Sequence, residues 1–279
     1  ESLDSQTAKF NSLARLSKCL ACALDSGKIM TDKAIPLRAI TGNKNDCSKC
    51  SIQVLCLPAT INTEDFDRLN TIVKNRRQMK RGDFLFRSGQ KLDCLYVARE
   101  GAFKSIVYNQ DGDSQVTGFH LPGEILGLDG LGTDSHTCDS IALTLANVCE
   151  IPLHDLEHVA SQLPSLQHQL LKIIGQSINR DQKHAEILAK KNAHERVAIF
   201  FFFFAERYKL LGRSDQRFMI PMSREDIGSY LGLVIETVSR TLSKMQDEDL
   251  IAVNGREVQI LNKEKLYVLA HENLPRKMA

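Results

Sequence analysis

The spacing of apolar residues changes character along this chain, and the changes divide it into parts. From about Gln78 to Pro152 the apolar positions come in short alternating or continuous runs: Phe84 to Phe86, Leu95 to Ala98, Phe103 to Tyr108, Gln115 to Leu121, Ile141 to Leu145 and Val148 to Ile151. Gly82, Gly89, Gly101, Gly112, Gly123 and Gly127 punctuate them at near-regular intervals. Many small strands with turn residues between them predict an antiparallel β-roll or barrel. At Pro152 the texture changes. From Pro164 to about Lys191 no interior proline occurs, and Leu166, Leu170, Ile173, Ile174, Ile178, Ile187 and Leu188 mark the apolar stripe of one long helix. Such a helix of roughly 28 residues spans about 42 Å, more than one small domain covers. Its simplest partner is its own copy in a dimer.

A further helix is expected from about Ala193 to Leu211, ending at Gly212. Ser223 with Asp226 forms a capping pair, and Gly232 suits the tight turn between two short helices. Ile227, Leu231, Val238 and Leu242 supply inward faces, so Ser223 to about Asp247 reads as helix-turn-helix, with Ile235 to Asp247 as the second helix. Asn254-Gly255 between the runs Leu250 to Val253 and Val258 to Leu261 signals a hairpin, a β-wing behind the helices. At the other end, Phe10, Leu13, Leu16 and Leu20 suggest an amphipathic helix, and Thr63 can cap a short helix running through Asn75. The expected architecture is α+β: an extension over 1–46, a cysteine loop and β-roll sensor domain over 47–155, a dimerisation helix over 156–192, and a winged helix-turn-helix over 193–279.

Composition narrows the class. With 279 residues, 43% hydrophobic and 25% charged, the chain is globular and long enough for about two domains. No apolar run approaches the roughly 18–20 residues of a membrane span. Ile199 with Phe200 to Phe204 is bracketed by Arg196, Glu206 and Arg207 and reads as a buried helix. No basic-apolar-small leader pattern is visible at the start, so the expected compartment is the cytoplasm. The net charge of +2 is small. Over 193–279, thirteen Lys/Arg meet twelve Asp/Glu, so any nucleic-acid contact must be a concentrated basic surface.

The chemistry lies in the thiols. Cys47-x2-Cys50-x5-Cys56 places three cysteines in ten residues just before Pro58, a density that packing does not require and a thiophilic metal centre does. Tetrahedral zinc and a cubane iron–sulfur cluster each take four ligands, so a fourth must come from elsewhere. A second pair, Cys19-x2-Cys22, sits in the extension, and Cys94, Cys138, His120 and His136 read as ordinary roll residues. No nucleophile elbow, phosphate loop or His-Glu-x-x-His pattern is present, which argues against an enzyme. On the second helix of the head, Glu236, Ser239 and Arg240 share one face. Arg can fork onto guanine, Glu can accept from cytosine and Ser can contact base or phosphate, and Arg224, Lys244 and Arg256 are the further cationic candidates. A solvated Glu236–Arg240 pair is the bland alternative.

In this order, the parts resemble the FNR branch of the CRP/FNR transcription regulators over roughly residues 47–275. Carrying the resemblance are Cys47-x2-Cys50-x5-Cys56-Leu-Pro58, Gly118-Phe-His-Leu-Pro-Gly-Glu124, Cys149-Glu-Ile-Pro152, Asp226-Ile-Gly-Ser-Tyr-Leu-Gly-Leu233 and Glu236-Thr-Val-Ser-Arg240. The resemblance implies a 4Fe–4S cluster on Cys47, Cys50, Cys56 and Cys149, and oxygen as the signal. It implies a homodimer bound to palindromes of the TTGAT-N4-ATCAA type through Glu236, Ser239 and Arg240, and contact with RNA polymerase. Cys19 and Cys22 fall outside it. Val234 departs from it, standing where a hydroxyl residue often caps the recognition helix, at about 1 kcal/mol.

Two alternatives accompany that reading. A cyclic-nucleotide receptor shares the roll and Gly123-Glu124, but between Ile125 and Val148 there is no Arg or Lys to neutralise a buried phosphate, so no cyclic nucleotide is expected. Cysteine spacing alone does not separate zinc from iron–sulfur. On the long helix Leu170, Ile174, Ile178 and Asp181 are the expected partner-facing residues. Asp181 near a two-fold axis would meet its own copy and keep the dimer marginal, whereas an Asp181 turned to solvent would not.

Overall fold

The computed structural model describes residues 47–61 and 65–271. The expected N-terminal helix, Cys19, Cys22 and the Thr63 cap lie outside them. Two short 3-10 turns, Gln53–Leu55 and Leu57–Thr60, carry the cysteine loop into helix α1, Phe66–Ile72. This helix is shorter than the expected run through Asn75. Val73 turns to extended backbone, the Lys74 amide donates to Glu150 O at 3.1 Å, and the chain enters a strand at Asn75.

The roll is built from β1 (Asn75–Met79), β2 (Phe84–Phe86), β3 (Cys94–Glu100), β4 (Phe103–Tyr108), β5 (Ser114–His120), β6 (Ile125–Leu126), β7 (Asp139–Ala142) and β8 (Ala146–Pro152). They form two antiparallel sheets, ordered β1-β8-β3-β6 and β2-β7-β4-β5. Phe86, Tyr96, Ala98, Phe103, Leu126 and Val148 share one apolar cluster within it. Two short helices and a long one follow the pattern change at Pro152: α2 (Leu153–Gln162), which the sequence reading did not separate, then α3 (Pro164–Lys190), then α4 (Ala193–Leu210). Pro164 explains the break between α2 and α3. A proline is tolerated in the first turn of a helix but cannot continue one.

The head comprises α4, β9 (Arg217–Met219), α5 (Arg224–Leu231), α6 (Ile235–Asp247), β10 (Ile251–Asn254), β11 (Glu257–Ile260) and α7 (Lys263–His271). The Ser223 capping box forms in full, with Ser223 Oγ accepting from the Asp226 amide and Asp226 Oδ2 accepting from the Ser223 amide. Gly232 closes α5 at φ 63°. Gly228 is required for a different reason: a Cβ there would stand 2.6 Å from Leu233 O, so only glycine lets the turn between α5 and α6 pass this closely. The wing is present, with the turn one residue later than expected. Asn254 pairs with Glu257, so Gly255 and Arg256 form the two-residue loop, and Gly255 at φ 61° takes its first position as a II′ turn demands. A third strand, β9, pairs with β11 and was not expected.

The head does not hang from the long helix alone. Ala102, Ile106, Val116, Phe119, Leu121 and Leu143 of the roll share one continuous apolar cluster with the head's Phe200, Phe204, Ile227 and Leu231. The phenylalanine run of α4 is buried there, as its sequence predicts. Among the described residues no helix is long and apolar enough to cross a membrane.

Candidate metal centre and nucleic-acid interface

Cys47, Cys50 and Cys56 sit on the loop, and Cys149 sits mid-strand on β8, where it pairs with Val97 of β3. None of the four is in a disulfide, and each is partly buried. Cys47, Cys56 and Cys149 pack on the same apolar cluster. Burial pushes the Cys56 thiol far up, a backbone hydrogen bond from Leu57 opposes this, and the charges of Cys149, Cys47 and Cys50 push it further. Two thiols of the loop and the thiol of β8 thus border one apolar region of the molecule. In donor chemistry they fit a cationic thiophilic centre, whose charge relieves the repulsion between thiolates. Among the described residues no three His, Cys, Asp or Glu side chains stand in ready-made geometry for a metal ion.

Three contacts fix the loop on the molecule. The Cys47 amide donates to Asn70 Oδ1 of α1 at 2.8 Å. Leu55 lies against Gly123 so tightly that a Cβ there would stand 2.9 Å from that of Leu55, and Gly123 also has φ 92°. Most consequential is the third: Gln169 of α3, only 5% exposed, donates Nε2 to Cys56 O at 3.3 Å. The carbonyl of a candidate ligand is thus held by the long helix, and Leu57 and Leu166 pack alongside in the same core. Sequence reasoning missed Gln169. The available signal was a glutamine at a stripe position, one turn from both Leu166 and Ile173.

On α3 the proposed stripe is displaced at its start. Leu170 packs inward against the apolar cluster that holds Leu57 and Leu166, whereas Leu171 is 63% exposed. Ile178 is 51% exposed, Ile174 half-buried and Asp181 exposed. Leu171, Ile174 and Ile178 share one side of the helix by their spacing, opposite the side through which Leu166, Gln169 and Ile173 meet the roll.

On α6 Glu236, Arg240 and Lys244 are exposed and Ser239 is half-buried. No Glu236–Arg240 pair forms; Arg240 Nη2 donates to Thr237 Oγ1 at 3.1 Å, and Lys244 lies 3.7 Å from Glu248. Val234 precedes α6 without a side-chain cap, and with Ile235 it is exposed. Arg224 is exposed at the start of α5, while Arg256 in the wing turn is half-buried. The helix therefore presents an outward face with acidic, hydroxyl and cationic groups at one-turn spacing.

Polar contacts between roll and head were not foreseen. Arg207 of α4 donates Nη2 to Glu124 Oε2 at 2.6 Å and to Phe119 O at 2.7 Å, and Arg180 of α3 lies 3.4 Å from Glu124 Oε1. Burial alone would raise the Glu124 carboxyl, but these two arginines hold it below its ordinary range. Lys104 of β4 meets Asp226 of α5 at 2.5 Å, with side chains 19% and 13% exposed. His120 has a buried Nδ1, its Nε2 lies 2.8 Å from Ser105 Oγ, and burial pushes it down to about 4. His136 stacks on Phe86 at 3.7 Å, and Cys138 lies 3.5 Å from Asp129, as roll residues would.

Comparison with known proteins places these parts. The family described as "Crp-like helix-turn-helix domain" matches residues 195–269, and "Cyclic nucleotide-binding domain" matches 76–162. The transcriptional activator protein Anr of Pseudomonas protegens is 43% identical over 84% of this chain and 96% of its own length. The fumarate and nitrate reduction regulatory protein of Escherichia coli K12 is 38% identical over 80% and 90%. The solved structure of FixK2 from Bradyrhizobium japonicum matches with a TM-score of 0.65 and 28% identity, covering 70% of this chain and 96% of that one.

Proposed function

The chain belongs to the CRP/FNR family of transcription regulators, not to an enzyme family, and from that premise we propose that it is a cytoplasmic, oxygen-responsive, homodimeric DNA-binding regulator. Cys47, Cys50, Cys56 and Cys149 would hold a 4Fe–4S cluster, which supplies the oxygen-reactive chemistry when bound. The observation that supports the reading is that Cys47 and Cys56 of the loop and Cys149 of β8 pack on one apolar cluster, with the Cys56 carbonyl bonded to the long helix by Gln169. A site closed within one loop could only retain a metal. A site joining loop to strand, with the loop seated on α3, can report its loss.

The residues then do the following. With the loop clamped to β8, Leu57 and the Cys56 carbonyl support the N-terminal half of α3, on whose opposite side Leu171, Ile174 and Ile178 meet the partner copy. Dimerisation places two α6 helices about one DNA turn apart. Glu236, Ser239 and Arg240 read TTGAT-type half-sites in the major groove, and Arg224, Lys244 and Arg256 meet phosphates. Release of the clamp in oxygen withdraws that support, and DNA binding falls. RNA polymerase is the proposed partner at promoters.

A zinc-stabilised DNA-binding protein of the same fold would bind DNA equally in air. A cyclic nucleotide in the roll is disfavoured by the absence of Arg and Lys between Ile125 and Val148 and by Leu55 seated on Gly123. Fluorescence anisotropy on a labelled TTGAT-N4-ATCAA duplex tests the proposal. Tight binding without oxygen and loss on exposure to air are expected, and equal binding in both would overturn it.

A further inference from the structure

The head is joined to α3 through only Lys191 and Asn192, yet it is held at both ends. At the joint Arg196 donates to Lys191 O, Leu188 O and Leu231 O, each at 2.8 Å, stapling the end of α3 to the end of α5. At the far side the roll itself takes hold. Lys104 Nζ reaches Asp226 Oδ1 at 2.5 Å, Ser229 Oγ accepts from the Val116 amide at 2.8 Å, and Gln115 donates to Ser229 O. Phe119 and Tyr230 pack beside them with ring centroids 5.1 Å apart.

Asp226 serves two elements at once. One carboxylate oxygen caps the start of α5 through Ser223, and the other binds Lys104. Burial would raise this carboxyl, but Lys104 and Ser223 together hold it below its ordinary range. Two-point fixation is what sets an angle. A head stapled only at the Arg196 joint could swing about it, whereas one also bonded to β4 and β5 cannot swing without breaking a largely buried ion pair.

We propose that Lys104, acting through Asp226, is the positioning residue that sets the reading head's angle and so determines which spacing between half-sites the dimer accepts. This rests on the dimeric, palindrome-binding reading above. In such a dimer each α6 is placed by its own roll, so the distance between the two is as well defined as the contacts that join roll and head, of which Lys104–Asp226 is the more buried ion pair and the one made directly to the helix-turn-helix. Adding one base pair to the spacer moves a half-site by about 3.4 Å and turns it by about 35°, which a fixed pair of heads cannot follow. Loosened heads can follow it, at the cost of weaker binding to the best site because their freedom is lost on binding.

The experiment measures anaerobic affinity of the full chain for duplexes with spacers of three, four and five base pairs. Wild type should lose about tenfold or more in affinity when the spacer departs from four, as expected for one mispositioned half-site. Lys104→Gln should bind the four-base-pair site more weakly and lose no more than about threefold on the others, Ser229→Ala should move the same way, and Lys104→Arg should restore the wild-type preference. A merely structural role would lower thermal stability and leave the spacing preference intact, and an unchanged preference in Lys104→Gln overturns the inference. Failure of wild type to bind any palindrome would instead overturn the reading on which it rests.

Discussion

Arg207 is a second cation, besides Lys104, that joins head and roll, and replacing it with Met keeps most of the side-chain volume while removing the guanidinium. The substitution deletes the 2.6 Å bond to Glu124 and the 2.7 Å bond to Phe119 O. Breaking a fully buried ion pair costs about 3–5 kcal/mol, and an exposed one is worth under about 1. Here both side chains are about a fifth exposed, and Glu124 keeps Arg180 at 3.4 Å and the Leu121 amide at 3.2 Å. The expected loss is therefore about 2–3 kcal/mol at pH 7. The pH dependence has a definite sign. Burial acts to raise Glu124, yet the arginines hold it below its ordinary range. Its stabilisation is thus complete above the unfolded carboxyl's pKa of about 4.3 and is lost as pH falls through the lower folded value. In Arg207→Met that depression is reduced, so the gap between variant and wild type should shrink below about pH 4. Urea unfolding followed by circular dichroism at pH 7 and pH 3.5 measures both quantities, and a double-mutant cycle with Glu124→Gln isolates the pair. A loss under about 1 kcal/mol at pH 7, or a gap that does not change with pH, would refute the reasoning.

Four further outcomes follow from the same geometry. Ile178→Glu, on the exposed stripe of α3, should shift the anaerobic protein toward monomers by about tenfold or more in sedimentation, since it places like charges beside a two-fold axis, and Asp181→Ala should raise the dimer fraction in air. Arg240→Ala should weaken operator binding by about 1–3 kcal/mol and relax the base preference at one position of each half-site, read by binding to substituted duplexes, with cluster content unchanged. Gln169→Glu sets a carboxylate, which can only accept, beside the Cys56 carbonyl; the loop should release from α3 and the cluster should bleach several-fold faster in air, followed by absorbance.

Much of this architecture was legible because it is written in local periodicity. The strands of the roll, the single long helix, the Ser223 box and the Gly232 turn each depend on residues a few positions apart, and the structure forms them. The wing turn slipped by one residue because Asn254-Gly255 specifies that a turn occurs, while the pairing of Asn254 with Glu257 decides which residues occupy it. The thiol run was legible from spacing, and the proposed link to Cys149 rests on a resemblance, since nothing local to Cys149 marks it out. Hidden altogether were contacts between residues far apart in the chain. Lys104 and Asp226 lie 122 positions apart, and Gln169 and Cys56 lie 113 apart. Lys104 and Gln169 look like ordinary surface residues until the fold gives them their partners. Leu170 and Leu171 show the same limit: one turns inward and its neighbour outward, a choice made by the roll's position and not by the stripe.

The central claim is that four cysteines from two segments hold one oxygen-reactive cluster. Its most direct test is to purify the full chain without oxygen and determine iron, acid-labile sulfide and the visible absorbance spectrum for wild type and for Cys149→Ser. The account predicts about four irons and four sulfides per chain in wild type, a thiolate-to-iron band that bleaches in air, and loss of all three in Cys149→Ser. A colourless wild-type protein carrying stoichiometric zinc, or a cluster retained without Cys149, would contradict it.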